Sequence, residues 1–156
     1  MKKARITMNF NVDAIVEIPH GSYYKYEIDK KTGQLVIDRP LPHPLPYNYG
    51  YVPNTLHEDG DPLDICIIGT HPIVSLTKVS VVILGAFKCI DNGESDDKLV
   101  AAVVGEHFSL LEQELAKGAI RHYLSTYKEG FEVKEWVGPE EAYQIVLKDV
   151  DAYLNE

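Results

Sequence analysis

The sequence lacks the features that carry a protein into a membrane or onto a polyanion. It has 15 Lys and Arg residues against 24 Asp and Glu residues, which gives a formal net charge of −9. Nucleic-acid backbones and anionic membranes attract basic surfaces, so this excess of acids argues against both as partners. No apolar run approaches the ~20 residues that span a bilayer, and the opening MKKARITMNF lacks the apolar segment of a signal peptide. We therefore expect a cytoplasmic protein with no nucleic-acid or membrane partner.

Cysteine is scarce, and internal repeats and low-complexity tracts are absent. The two cysteines, Cys66 and Cys89, lie in apolar, β-rich runs, where we expect buried free thiols rather than a disulfide. The hydrophobic share of 45% and the charged share of 25% are those of an ordinary globular protein and argue against disorder. A length of 156 residues predicts one domain, residues 1–156, with room for a core.

The chain up to residue 105 has the composition of short β-strands. The apolar and β-branched runs that predict strands are 13–19, 23–29, 34–39, 63–69, 78–90 and 98–104. Between the third and fourth of these runs, the segment 40–54 holds five of the nine prolines. Because proline removes backbone donors, this segment is predicted to be an irregular loop rather than part of a sheet.

The pattern changes to helical spacing after residue 108. Apolar residues recur every three or four positions within 110–128, which predicts a helix that ends near Gly130. A second helix is predicted over 139–154, which opens with Pro139 and two glutamates. Short strands followed by two helices predict an α+β, mainly β protein, in which a small barrel has the helices packed outside.

The segment HEDGDPLD, residues 57–64, contains Asp59, Asp61 and Asp64 close together at the start of an apolar strand. Three carboxylates within ~5 Å raise one another's pKa, and a hard divalent cation such as Mg²⁺ or Mn²⁺ would relieve the repulsion. The spacing does not fit an EF-hand loop, and the order does not fit an aspartyl-phosphate enzyme, whose nucleophile follows its strand. For this motif alone, a solvated acidic turn is the alternative.

A second acidic loop, DNGESDD at 91–97, contains Asp91, Asp96 and Asp97 and leads into Lys98 and another apolar strand. Alone it would be a solvated hairpin loop, but two acidic loops that each join a buried strand can meet at one rim of a sheet. Together they favour a site for several metal ions. Further lysine, arginine and tyrosine side chains lie near strand and helix ends. The alternatives to a functional role for them are surface ion pairs and core aromatic residues. Acids for metals combined with Lys, Arg and Tyr donors favour phosphoryl chemistry.

The order of these blocks resembles one known family. EIP, KYEID, DR, NYGY, DGDPLD, D-x4-D-x-K and YK follow one another as in family I soluble inorganic pyrophosphatases, from about residue 12 to about residue 135. The resemblance implies a five-stranded OB-like barrel with two C-terminal helices outside. It also implies hydrolysis of pyrophosphate to two orthophosphates by a metal-activated water, with several Mg²⁺ ions or Mn²⁺ in their place. The implied assembly is a homo-oligomer, which is usually a hexamer in bacteria.

The resemblance also implies roles for individual residues. Asp61 matches the general base, and the implied metal ligands are Asp59, Asp64, Asp91, Asp96, Glu17 and Glu27. The implied phosphate-binding residues are Lys25, Arg39, Tyr49, Lys98, Tyr127 and Lys128. The chain departs from the family pattern at Leu45, where a tyrosine is common, and at Asn92, where an acid often stands.

Three rival functions differ from this one in substrate or in catalysis. An OB-like barrel can bind single-stranded nucleic acid, but the net charge of −9 argues against it. A relative that binds metal and phosphate without hydrolysis would not need Asp61, which is present here. A phosphohydrolase acting on nucleotides is the third, and no motif in the sequence supports it.

Overall fold

The computed structural model describes residues 9–29, 31–126 and 128–156. In chain order, the strands are β1 (Asn11–Ile18), β2 (Tyr24–Ile28), β3 (Leu35–Pro40), β4 (Asn48–Tyr51), β5 (Asp64–Ile67), β6 (Lys78–Asp91), β7 (Glu94–Ser95), β8 (Lys98–Val103) and β9 (Phe131–Val137). The helices are α1 (Leu110–Thr126) and α2 (Pro139–Leu154). Neither helix has both the length and the apolar character that a bilayer crossing needs, in the part of the chain that is described.

Five strands close into a mixed barrel in the order β1, β4, β5, β8, β6, and β6 pairs back to β1. The β5–β8 pair is parallel, whereas the other pairs of the barrel are antiparallel. Both β7 and β9 extend the sheet from β6, and β2 and β3 form a separate two-stranded sheet. This arrangement confirms the predicted α+β, mainly β fold with a five-stranded barrel and two helices.

Side-chain alternation along the strands divides the core into two clusters. In β5, Ile65 and Ile67 belong to the cluster that includes Ala142 and Val146 of α2. The neighbour Cys66 belongs to the opposite cluster, which α1 completes through its buried residues Ile120, Tyr123 and Leu124. Successive residues of a strand face opposite sides, so each helix covers one side of the barrel wall. Both Cys66 and Cys89 are buried free thiols, as predicted.

Three strands lie where the sequence predicted none: β4, β9 and the two-residue β7 (Glu94–Ser95), which pairs with β6 inside the predicted loop 91–97. The proline-rich segment 40–54 was predicted to be irregular, which is wrong for β4 (Asn48–Tyr51), since β4 pairs with both β1 and β5. Those four residues contain no proline, and the prolines that mark the segment flank them. Likewise β9 (Phe131–Val137) separates the helices, where a direct helix-to-helix order was predicted. It is stabilised by pairing with β6, a long-range contact that local sequence patterns do not reveal.

The backbones of β4 and β1 approach closely at Gly50. Gly50 faces Val16 in the register of these strands, and a Cβ added to Gly50 would overlap the carbonyl oxygen of Ile15. We expect Gly50→Ala to lower the free energy of unfolding by about 1–3 kcal/mol, because β4 must move away from β1. Urea unfolding measures the change.

The matched control is Gly118→Ala in the interior of α1, where a Cβ meets nothing within 4 Å. That substitution should raise the free energy of unfolding by about 0.5–1 kcal/mol, since alanine is the better helix former. A Gly50→Ala protein as stable as Gly118→Ala would contradict the close approach of β1 and β4.

Candidate active site

One cavity of about 480 Å³ gathers the predicted site residues. Every one of them that the structure describes lines it: Glu17, Lys25, Glu27, Arg39, Tyr49, Asp59, Asp61, Asp64, Asp91, Asp96, Lys98 and Lys128. The remaining one, Tyr127, lies outside the described residues. These side chains come from β1, the β2–β3 hairpin, β4, the loop before β5, and the strands β5, β6 and β8, together with Asp96 just before β8 and Lys128 between α1 and β9. The barrel therefore brings together residues that are far apart in the chain.

Three carboxylates form a compact group in this cavity. Asp59, Asp64 and Asp96 each offer an oxygen, and these oxygens all lie within 4.8 Å of one another. Asp64 begins β5, Asp96 stands two positions before Lys98 in β8, and the parallel β5–β8 pairing sets Asp64 opposite Lys98. A group of carboxylate oxygens without thiol or imidazole suits a hard divalent cation.

The Lys98 side chain supplies positive charge to this group. Its Nζ donates to Asp64 Oδ2 at 2.6 Å, to Asp96 Oδ1 at 3.2 Å and to the Tyr49 hydroxyl at 2.7 Å. The side chain is only 3% exposed. A buried ammonium that donates three hydrogen bonds is well satisfied, and it offsets part of the repulsion between the acids.

Asp59, Asp96 and Glu17 nevertheless hold protons more tightly than ordinary carboxyls, because the pKa of each is raised. Burial raises the pKa of Asp96 to about 7, where Lys98 opposes the shift and Asp64 adds to it. Burial, together with Asp64, likewise raises the pKa of Glu17 to about 7. The pKa of Asp59 is also raised, first by burial and then by Asp64, against a hydrogen bond from the backbone of Asp61. A divalent cation that binds here must therefore displace protons near neutral pH.

Asp91 lies at the far end of β6 and has an unsatisfied oxygen. Its Oδ2 accepts a hydrogen bond from Lys128 Nζ at 2.6 Å. Its Oδ1 is buried and has no hydrogen-bond partner among the described residues. A buried acceptor without a partner is costly, so this atom fits a site that a cation or its waters would complete.

Basic side chains face the acids from the β2–β3 hairpin. Lys25 and Arg39 stand opposite each other across the two strands. Asp38 lies between them, with its Oδ2 at 3.2 Å from Lys25 Nζ and 4.0 Å from Arg39 Nε. With acids on the barrel rim and cations on the hairpin, the cavity can hold cations and an anion side by side.

The loop before β5 fixes Asp61 between two of the carboxylates. The Asp61 backbone N–H donates to Asp59 Oδ1 at 3.0 Å, and its carbonyl oxygen accepts from the His57 N–H at 2.8 Å. Gly60 makes the turn with a φ of 88°, a conformation that favours glycine. Asp61 is an exposed residue on the cavity lining, so its carboxylate can reach a water or a ligand.

Sequence reasoning missed the polar residues beneath the loop. His57, Asp97 and Asp149 are buried. His57 and Asp149 had been assigned no role, and Asp97 had been counted only as part of the second acidic loop, whereas its carboxylate accepts hydrogen bonds from Lys88 and the Cys89 N–H. A signal for one of them was present, because adjacent acids such as Asp96 and Asp97 at a strand entrance point to opposite sides. One of the two must therefore enter the protein interior, where it needs a partner. The leucine at position 45 is buried in the cavity wall, next to aromatic residues of the second core cluster.

Comparisons with known proteins point to one family. The sequence matches the family described as inorganic pyrophosphatase over residues 14–154. It is 36% identical to an inorganic pyrophosphatase from Geobacillus stearothermophilus, over 93% of this chain and 95% of that protein. It is also 36% identical to soluble inorganic pyrophosphatase 2 from Chlamydomonas reinhardtii, over 91% of this chain and 80% of that one. The fold is similar to the crystal structure of an inorganic pyrophosphatase from Thermus thermophilus, with a TM-score of 0.84, 31% identity, and coverage of 92% and 91% of the two chains.

The raised pKa of Asp96 predicts how the metal-free protein responds to pH. A carboxyl whose pKa is higher in the folded state than in the unfolded chain stabilises the fold fully below its ordinary pKa of about 4. That contribution is lost as the pH rises to about 7, the pKa of Asp96 in the folded protein. In the presence of a chelator, we expect the melting temperature of wild type to fall over this range more steeply than that of Asp96→Asn.

The control for net charge is Asp13→Asn, which removes one charge on the barrel surface where Asp13 contacts Lys78 and Ser80. Its melting temperature should follow the pH dependence of wild type. Parallel curves for wild type and Asp96→Asn would show that burial of Asp96 does not raise its pKa.

Proposed function

The chain belongs to the inorganic pyrophosphatase family and hydrolyses pyrophosphate to two orthophosphates, and we propose that it does so in the cavity described above. The observation that supports this location is the meeting of Asp59, Asp64 and Asp96 with the basic pair Lys25 and Arg39 in one cavity. Pyrophosphate carries several negative charges, so it needs both basic groups and cations around it. The family implies dependence on a divalent metal, and the carboxylate group fits one.

We propose Mg²⁺ as the metal, with Mn²⁺ able to take its place, because among the described residues the ligand atoms that converge are the carboxylate oxygens of Asp59, Asp64 and Asp96. Asp59, Asp64 and Asp96 would hold the central ion or ions, and Asp91, Glu17 and Glu27 would hold further ions or their waters. When bound, a divalent cation supplies positive charge to phosphate oxygens and lowers the pKa of water from 15.7 toward ~7.

Asp61 is the general base of this proposal. Its backbone is held on both sides, by Asp59 Oδ1 at 3.0 Å and by the His57 N–H at 2.8 Å, which places residue 61 at the cavity lining. A base works only when it lies within hydrogen-bond reach of the proton that it removes. Asp61 accepts that proton from the water that attacks phosphorus, and the carboxyl later returns it to solvent.

The basic and phenolic side chains bind the two phosphoryl groups. Lys25 and Arg39 neutralise charge from the hairpin side, and Tyr49 donates a hydrogen bond from β4. Lys98 and Lys128 contact Asp64 and Asp91 at 2.6 Å, and their ammonium groups would bind phosphate oxygens where those carboxylates hold a cation. The resemblance adds Tyr127 to this set. Donors that meet charge as it develops on the leaving phosphate lower the barrier most.

We also propose a cytoplasmic location, without membrane or nucleic-acid partners. The net charge of −9 and the two buried free thiols support it.

Phosphate release from pyrophosphate tests the proposed chemistry. We expect wild type to release phosphate from pyrophosphate only with Mg²⁺ or Mn²⁺, and to release little from ATP under the same conditions. Asp61→Asn should lower kcat by about 10²–10⁴-fold, the contribution of a positioned general base. The matched control is Glu58→Gln in the same loop, since Glu58 is exposed and pairs with Lys148 away from the cavity lining.

Two results would contradict this proposal in different ways. A wild type that is inactive with both metals would exclude the site as the place of hydrolysis. Unchanged turnover of Asp61→Asn, beside an active Glu58→Gln, would remove Asp61 as the base and leave the metal site intact.

We propose, further, that the chain assembles into a homo-oligomer, a hexamer by the family resemblance. The first two turns of α1 support this, because Leu110, Leu111 and Leu115 are 80%, 69% and 66% exposed. Exposed apolar patches of this kind mark surfaces where proteins associate.

Light scattering after gel filtration tests the assembly. Wild type should have the mass of a multimer, and the double variant Leu111→Glu, Leu115→Glu should have a smaller mass because it places charges in the contact. The control Leu154→Glu changes an equally exposed leucine (72%) on α2 and should keep the wild-type mass. A monomeric wild type would contradict the proposal.

A further inference from the structure

A buried polar network lies directly beneath the proposed metal site. His57, Asp97 and Asp149 are 5%, 1% and 2% exposed, respectively. The proposed chemistry uses none of them, yet burying ionisable groups is costly unless each is paired. Their hydrogen bonds connect α2, the 57–64 loop and the acidic segment before β8. The network therefore reaches the loop that carries Asp59 and the segment that carries Asp96.

The imidazole ring of His57 bridges two elements through its two nitrogens. Nδ1 lies 2.6 Å from Asp149 Oδ2, and the backbone N–H of Asp97 donates to Nε2 at 3.2 Å. A backbone N–H can only donate, so Nε2 is the acceptor and Nδ1 carries the proton that it donates to Asp149. The two contacts together fix one tautomer and one orientation of the ring.

The backbone around His57 holds the loop that carries Asp59 and Asp61. The His57 N–H donates to the Asp61 carbonyl at 2.8 Å, and its carbonyl oxygen accepts from the Gly60 N–H at 3.0 Å. The Leu56 N–H donates to the backbone carbonyl of Asp149 at 2.9 Å. Asp149 of helix α2 therefore binds this loop through both its backbone carbonyl and its side chain.

On the other side of the ring, Asp97 is tied to β6. Its Oδ1 accepts from the Cys89 N–H at 3.1 Å, and its Oδ2 accepts from Lys88 Nζ at 2.9 Å. The next residue back, Asp96, donates its N–H to the Cys89 carbonyl at 2.9 Å. The hydrogen bond from Asp97 to His57 therefore comes from the residue next to Asp96, which belongs to the carboxylate group.

We infer that His57 is a positioning residue that spans the two acidic segments and, anchored to α2 by Asp149, sets the separation of Asp59 from Asp96. This inference rests on the proposed function, because the separation matters only if these carboxylates share a cation. Carboxylates repel one another, so an empty site would spread without a restraint between the segments. The ring supplies that restraint through the hydrogen bonds of its two nitrogens. Partners that orient metal ligands contribute about 10–100-fold to metal affinity.

Two substitutions of His57 each keep one of the ring's two side-chain hydrogen bonds and remove the other. In His57→Asn, the side-chain amide can still donate to Asp149, but nothing reaches the Asp97 N–H. In His57→Gln, the longer side chain can place its carbonyl oxygen near the Nε2 position and accept from Asp97, but the donor to Asp149 is lost. A bridge needs both contacts, so each variant should weaken Mn²⁺ binding by about 10–100-fold in calorimetry of the full chain without substrate.

Further variants separate positioning from general stability. Asp149→Asn keeps an acceptor for the ring N–H and should weaken Mn²⁺ binding less than Asp149→Ala. Val146→Ala shortens a buried side chain of the same helix and should lower the melting temperature without changing Mn²⁺ affinity. In the His57 variants, kcat should return toward the wild-type value at saturating Mg²⁺, while the Mg²⁺ concentration for half-maximal activity rises.

The outcomes distinguish this inference from the proposed function. A wild type that binds no Mn²⁺ and shows no activity would overturn the proposed function, and the inference with it. A wild type that binds Mn²⁺, beside His57 variants that bind it equally tightly at reduced melting temperatures, would overturn the inference alone. Equal weakening in Val146→Ala would also overturn it, since stability and not position would then set the affinity.

Discussion

A buried ammonium shared between carboxylates is the interaction on which the site depends. Lys98 and Asp64 face each other on the parallel strands β5 and β8, and Lys98 Nζ contacts both Asp64 and Asp96. Burial and then Asp64 raise the pKa of Asp96 against the opposing effect of Lys98, so without that charge these acids would take up protons still more readily or separate. Barrel closure fixes the positions of β5 and β8. The stability of the barrel therefore offsets the free-energy cost of holding the like charges close together.

Most of the acidic side chains of the site and two of its basic side chains come from different sheets. Acidic ligands come mainly from the barrel and its loops, whereas Lys25 and Arg39 come from the hairpin, which forms a sheet of its own. In the proposed site, an anion between these two parts would contact Lys25 and Arg39 on the hairpin side and, on the barrel side, Lys98 together with the metal ions that the carboxylates hold. Such a division is needed for pyrophosphate, because an acidic pocket alone would repel it and a basic pocket alone would bind its phosphate product as well.

Local patterns in the sequence predicted most of this molecule, and they failed where pairing is distant. The helix α2 was predicted over 139–154 and occupies that span, because Pro139 and the helical periodicity are local signals. Strands β4 and β9 depend on partners elsewhere in the chain, and proline content hid the first of them. The same holds for the site: DGDPLD and the second acidic loop are visible in the sequence. The bond from His57 to Asp149 joins positions 92 apart and has no local signature.

The pairing of β6 also bears on how this protein folds. This strand of 14 residues pairs with β1 near one end of the described chain and with β9 near the other, as in Asn11 with Val82 and Val137 with Ala86. Contacts so distant must wait for large loops to close, which makes folding slow and leaves the acidic loops apart until late. A metal ion held by Asp59, Asp64 and Asp96 as proposed would therefore slow unfolding of the finished barrel rather than speed its formation.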